Sequence, residues 1–354
     1  MGAAGFEPAT AWSEAKYSVQ TELSALTNTS AAFEFKTCGS RRQQPPAHRS
    51  TNRKFRGLYA TGRATPAMEL GERLRGYLEL TRPANATVAT LLTFVGAFVG
   101  GDVAANAVPV GAAVAATWLA TGAGNAINDY FDREIDAINR PDRPIPRGAA
   151  SPRGALAFSL VQFGGAVALA FFLPVLAMAI AGVNLVALVT YTKVFKGMPG
   201  AGNAIVAALG GSTFLFGGAA VRNVEPTVVL FLLAALSTLS REIIKDVEDV
   251  EGDREEGLNT LPIAIGERPS LYVAAAMLAV AILASPVPYL LEYFGPAYLL
   301  AVAPAVLVMG VAAVESFRDP GRGQRRLKYG MFLAAAAFVV GRLTVEGGLG
   351  VPVV

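Results

Sequence analysis

Apolar runs of about twenty residues, the length a bilayer-spanning helix needs, recur from residue 84 to residue 347 and alternate with short polar connections. They predict nine helices, at 84–101, 107–127, 153–173, 174–192, 201–221, 226–245, 270–291, 296–316 and 329–347. Several are rich in Ala and Gly, the composition that lets helices approach closely in lipid. The expected fold class is therefore all-α, a polytopic membrane protein with its helices around a central cavity. Residues 1–67 break this pattern: they are polar, mixed and non-periodic, and read as a disordered tail or as a mis-annotated start. Met68 opens MELGERLRGYLELTRP, an amphipathic entry to the first span, so the transmembrane domain is placed at 68–354.

Composition narrows the chemistry. The chain is 53% hydrophobic and 16% charged, with a mean hydropathy of +0.43, too apolar for an ordinary soluble domain. Its net charge of +3 is spread over many short loops, which argues against a nucleic-acid partner. The single cysteine, Cys38, and the single histidine, His48, both lie in the polar tail. That excludes an intrachain disulfide and argues against Cys/His zinc sites and Ser-His-Asp triads. Chemistry within the spans must come from Asp, Glu, Asn, Lys, Arg, Tyr or the backbone.

Lys and Arg orient the spans. From Met68 onward, nineteen of them fall before the first span and in the second-to-third, fourth-to-fifth, sixth-to-seventh and eighth-to-ninth connections; only Arg222 and Arg342 fall on the other side. The positive-inside rule puts the basic side in the cytoplasm. The N-terminus is then inside and the C-terminus outside a cell membrane.

Two acidic octapeptides share that side. DYFDREID carries Asp129, Asp132 and Asp136; DVEDVEGD, 117 positions later, carries Asp246, Asp249 and Asp253. Four spans separate them, an even number, so both face the cytoplasm. On a helix, offsets of 0, 3 and 7 fall at about 0°, 300° and 340°, one narrow face. Asn125 and Asn128 extend the first face by a turn. Carboxylates this close repel unless a cation intervenes. Hard ions such as Mg²⁺ take oxygen ligands and share them with substrate phosphates. The expected metal ligands are Asn128, Asp129, Asp132, Asp136, Asp246, Asp249 and Asp253. Arg140, in the proline-stiffened INRPDRPIPRG, and Lys193 and Lys196, in YTKVFKG, join Asn125 and Asn128 as candidate diphosphate or phosphate contacts.

The segment NAINDYFDREIDAINRPDRPIPRG resembles the first signature of the UbiA superfamily of intramembrane prenyltransferases, N-x-x-x-D-x-x-x-D followed by an Arg-Pro stretch. Asn128, Asp132 and Asp136 occupy its key positions. REIIKDVEDVEGDREEGLNTLP resembles the second signature, with Asp249 and Asp253 as its D-x-x-x-D, so the resemblance implies Asp132, Asp136, Asp249 and Asp253 as the catalytic set. The resemblance spans roughly residues 74–345 and implies nine helices, Mg²⁺ as cofactor, a prenyl diphosphate donor and an acceptor within the membrane. Many members carry a Tyr-x-x-x-Lys element after the fourth helix. Here Tyr191 stands two residues before Lys193 and five before Lys196, so both lysines are candidates. The wording REIIKDVEDVEGD and the start LTRPANATVATLLTFVGAFVGG are most similar to members that move a geranylgeranyl group onto the glycerol hydroxyl of geranylgeranylglyceryl phosphate, closing the second ether bond of an archaeal lipid. An aromatic acceptor, as in quinone, haem or chlorophyll-tail synthesis, is the alternative within the superfamily. A cation-coupled transporter is the alternative outside it, but would more often carry acids near mid-span; here they sit at span ends.

Overall fold

The computed structural model describes residues 70–191, 195, 197–255 and 257–345; the expected disordered tail at 1–67 lies outside the described residues. The described chain is helical: α1 (Leu70–Leu80), α2 (Pro83–Gly100), α3 (Ala107–Phe131), α4 (Arg133–Asn139), α5 (Pro152–Ala170), α6 (Val175–Thr190), α7 (Ala201–Ala220), α8 (Glu225–Glu248), α9 (Val250–Glu255), α10 (Leu261–Ile265), α11 (Glu267–Ala284), α12 (Val287–Leu290), α13 (Ala297–Ser316) and α14 (Pro320–Leu343). Local signals set several starts. Pro occupies the first turn of α2, α5 and α14, where its missing N–H costs nothing. Ser151 Oγ accepts from the Gly154 amide at 3.0 Å and Asp319 Oδ1 from the Arg322 amide at 2.9 Å, capping α5 and α14.

Among the described residues, seven helical stretches are long and apolar enough to cross a membrane: α2, α3, α5, α7, α8, α13 and Glu267–Leu290, which runs through α11 into α12. The other two expected spans differ in character. α6 is apolar but has 16 residues. α14 has 24, but its first turns, PGRGQRRLK, are basic. Outward side chains are apolar and bare: Phe171, Leu283 and Leu300 are about 80% exposed, as a lipid-facing surface requires. Inside, Phe214, Leu230, Tyr298 and Phe338 form one core cluster, and the buried Tyr298 hydroxyl donates to the Ser285 carbonyl at 2.7 Å.

Helix α2 lies parallel to α7 at very short range. A Cβ on Gly217 would collide with the Thr93 carbonyl and the Ala97 amide of α2, and one on Gly96 with the backbone of Phe214. Only glycine permits that approach. Asn223 Nδ2, just past α7, donates to the Gly100 carbonyl at the end of α2 at 2.7 Å, so the C-terminal ends of both helices share one end of the bundle. Their N-terminal ends therefore share the other. At that end Arg82 contacts Asp129 of α3, and Asn203 of α7 contacts Asp246 of α8. The two acidic octapeptides thus lie at the same end of the molecule.

Candidate functional site

The octapeptides do not lie on unbroken helices. α3 stops at Phe131, Asp132 stands between helices with φ −83° and ψ 2°, and α4 begins at Arg133. The second copy repeats this: α8 stops at Glu248, Asp249 stands between with φ −94° and ψ 5°, and α9 begins at Val250. Backbone bonding survives each break. Asp132 N–H donates to Asn128 O at 2.9 Å and Asp136 N–H to Asp132 O at 2.8 Å; Asp249 N–H donates to Lys245 O and Asp253 N–H to Asp249 O, both at 2.9 Å. The repeat seen in the sequence is therefore a repeated joint, with Asp132 and Asp249 as its hinge residues.

The first triplet sorts into two environments. Asp129 and Asp136 are buried, 4% and 6% exposed. Asp129 accepts from Arg82 at 2.6 Å and from Arg143 at 3.2 Å, and Asp136 accepts from Arg143 at 2.5 Å. Arg143 lies in the proline-rich loop, whose stiffness holds the guanidinium over both carboxylates. Arg82 reaches Asp129 from a strained backbone, φ 47° and ψ 70°, directly before Pro83. The Asn125 amide secures that turn by donating to the Thr81 carbonyl at 2.9 Å. Asp132 is half-buried, and Arg140 is exposed just past α4.

In the second triplet, Asp246 accepts from Asn203 Nδ2 at 2.7 Å. Asp249 is exposed and pairs with Lys245 at 3.3 Å; Asp253 is half-buried. Lys193 and Lys196 lie outside the described residues. Four residues at this end were not candidates from the sequence: Arg82, Asn203, Arg241 and Lys245. Arg82, Arg241 and Lys245 counted there only as positive-inside charges, and Asn203 carried no signal because its partner stands 43 positions away.

A cavity of about 1170 Å³, just above the ~300–1,000 Å³ usual for small-molecule sites, opens about one helical turn inside the two joints, bordered there by Asn128 and Lys245 rather than by the joint carboxylates. Its polar end includes Arg82, Asn125 and Asn128 on one side and Arg241, Glu242 and Lys245 on the other. The remaining wall is apolar, with Leu92, Phe163, Leu209, Phe214 and Phe338. A site of this shape suits a polar head with long hydrocarbon chains. Among the described residues no three acidic side chains converge as a ready-made metal cage. The candidate ligands nearby are nonetheless oxygen donors: the amides of Asn125 and Asn128 line the cavity, and the carboxylates of Asp132, Asp249 and Asp253 stand at and beyond the joints. That set fits Mg²⁺, which binds through one or two carboxylates plus substrate phosphates rather than through an all-protein cage.

Comparison with known proteins agrees with this architecture. Residues 89–336 match the UbiA prenyltransferase family. A digeranylgeranylglyceryl phosphate synthase of Natronomonas pharaonis is 62% identical over 275 residues, covering 77% of this chain and 99% of the relative. The synthase of Methanopyrus kandleri is 46% identical, covering 76% of this chain and 100% of the relative. A solved structure described as concerning digeranylgeranylglyceryl phosphate synthase in membranes superposes with a TM-score of 0.67 at 36% identity, over 76% of this chain and 98% of that one. A UbiA homolog from Archaeoglobus fulgidus, bound to GPP and Mg²⁺, shares the fold at 17% identity, with a TM-score of 0.58 over 76% of this chain and 99% of that one. This chain, with its paired acidic joints at one end of an apolar helical bundle, belongs to the UbiA prenyltransferase family.

Proposed function

We propose that this protein transfers a geranylgeranyl group from geranylgeranyl diphosphate to the free glycerol hydroxyl of geranylgeranylglyceryl phosphate, forming the second ether bond of an archaeal membrane lipid. The observation that carries this reading is the cavity, lined by Arg82, Asn125, Asn128, Arg241, Glu242 and Lys245 at its polar end and apolar along the rest. The high identity to synthases named for that product supports the choice of acceptor.

In this mechanism Asn128, Asp132, Asp249 and Asp253 hold the diphosphate end of the donor together with Mg²⁺, which when bound neutralises charge on the leaving oxygens. Asp129 and Asp136 would complete the first set, and Arg143, which bridges them, would supply positive charge beside the diphosphate. Asp246 stays on Asn203 and fixes the second joint against α7. Arg140, Lys193 and Lys196, assigned from the sequence, steady the departing diphosphate. The allylic C–O bond breaks with its electron pair leaving on the diphosphate. The apolar wall excludes water that would capture the allylic cation. The glycerol hydroxyl then forms the new C–O bond, and its proton passes to the diphosphate or to an Asp at this end. The Lys and Arg distribution supports a cytoplasmic position for the polar end.

A two-acceptor assay tests the reading. Labelled geranylgeranyl diphosphate is offered with geranylgeranylglyceryl phosphate or with 4-hydroxybenzoate. The expected product is the diether phosphate alone. Labelling of 4-hydroxybenzoate alone would replace the acceptor. EDTA should stop the reaction and Mg²⁺ restore it; a rate indifferent to both would sink the metal-held diphosphate.

A further inference from the structure

Four cations border the cavity in the described residues: Arg82, Arg241, Lys245 and Lys328. Three have carboxylate partners. Arg82 pairs with Asp129 at 2.6 Å, Arg241 with Glu242 at 2.6 Å and Lys245 with Asp249 at 3.3 Å. Lys328 makes no ion pair or hydrogen bond among the described residues. Its ammonium stands 5.8 Å from the centre of the Phe332 ring, and Phe332 lines the same cavity. Cation–π attraction holds the charge along the cavity wall and leaves its N–H donors unspent.

The level of Lys328 follows from helix register. Gln324 and Arg325 of α14 reach Glu248, the last residue of α8, at 3.2 and 3.6 Å. Lys328 is one turn further into the bundle than Gln324, and Lys245 is about one turn further in than Glu248, each turn rising about 5.4 Å. The two lysines therefore stand at one level on facing helices, just inside the polar end. Lys328 is also solvent-exposed, so it marks the rim where the cavity meets the outside of the bundle.

The reaction proposed above brings two polyanions together, a diphosphate and a phosphate monoester joined to the attacking hydroxyl by a short glycerol chain. Like charges at that range repel, and the acidic joints with their cation serve the diphosphate. The second anion needs a separate positive group at the same level, reachable from the side. We infer that Lys328 anchors the phosphate of the acceptor and makes the enzyme discriminate between phosphorylated and neutral glyceryl lipids. This rests on the proposed reaction. A lysine that merely snorkels to the membrane surface would affect neither acceptor selectively.

Steady-state kinetics of the full chain in nanodiscs tests the assignment, with Lys328→Gln and Lys328→Arg compared to the parent. Both geranylgeranylglyceryl phosphate and its dephosphorylated alcohol are used as acceptors. Lys328→Gln should raise KM for the phosphorylated acceptor at least tenfold. Donor KM should stay within twofold, the neutral acceptor should react at the parent rate, and Lys328→Arg should recover most of the loss. An acceptor KM within twofold of the parent overturns the assignment, as does an equal rise in donor KM or an equal loss with the neutral acceptor. If the parent prenylates neither glyceryl lipid, the reaction and the Lys328 role both fall; if the parent is active and Lys328→Gln matches it, only the Lys328 role falls.

Discussion

Arg143 is the single cation shared by two buried carboxylates, and replacing it with Leu isolates that arrangement. At N–O separations of 3.2 Å to Asp129 and 2.5 Å to Asp136, an effective dielectric near 20 gives gross attractions of ~5 and ~7 kcal/mol. Desolvation of the three groups cancels much of this, and removing one partner of a buried pair costs about 3–5 kcal/mol because a charge is left uncompensated. Asp129 retains Arg82 at 2.6 Å; among the described residues no second cation pairs with Asp136, so the cost concentrates there. Arg143→Leu should lower stability by about 3 kcal/mol. Adding Asp136→Asn should restore at least ~1 kcal/mol, since the isolated charge is gone. SDS-unfolding titrations in mixed micelles measure both. Added Mg²⁺ should stabilise Arg143→Leu more than the parent, because the cation finds the carboxylate already vacated. A single variant within ~0.5 kcal/mol of the parent, or a double variant no better than the single, would refute the reasoning.

Further outcomes are expected elsewhere. Asp132→Asn and Asp249→Asn, each at a joint, should reduce transfer at least ~10³-fold while the protein still inserts and elutes as a single species; substantial residual activity in either would remove the joint from the mechanism. Gly217→Ala should cost about 1–3 kcal/mol, read by the same unfolding titration, because its Cβ meets the α2 backbone rather than a movable side chain. The hydrogen bond from Arg147 holds the Glu79 carboxyl below its ordinary value of 4.5. Its folded pKa being depressed, the stabilisation is complete above the unfolded value and is lost as pH falls through the folded one. The stability difference between parent and Glu79→Gln should therefore be flat near neutrality and shrink below about pH 4.5; a difference that grows on acidification would contradict the pairing.

Much of this site was written in the chain. The 117-residue offset of the Asp triplets survives folding as two joints with nearly equal torsions at Asp132 and Asp249. Their common end was readable from span parity and Lys/Arg placement. The breaks themselves were not readable, because neither Asp132–Arg133 nor Asp249–Val250 contains a Gly or Pro to announce one. Nor was the sorting of the first triplet. Periodicity places Asp129, Asp132 and Asp136 on one face, but the fold of the Pro-rich loop decides that Arg143 claims two of them. Asn203 and Arg82 belong to the same class: each acts through a partner more than forty residues away, and local pattern carries no record of it. The helix count was least legible at α6 and α14, where apolar length and helix length part company.

Helix α1 shows Leu70, Leu74 and Leu78 as a bare stripe along one side, 73%, 62% and 55% exposed, above charged Glu72, Arg73 and Arg75. If each leucine reaches the acyl boundary, burial is worth up to ~1.5–3 kcal/mol apiece, so this short helix acts as a float. It is moored to the chemistry through Thr81 and Arg82, one and two residues beyond its end, which bind Asn125 and Asp129. Such burial would fix the waterline of the membrane relative to the joints. In a thicker or thinner bilayer the mismatch would fall on the opposite end of the bundle, and the depth at which two lipid-tailed substrates meet would stay constant.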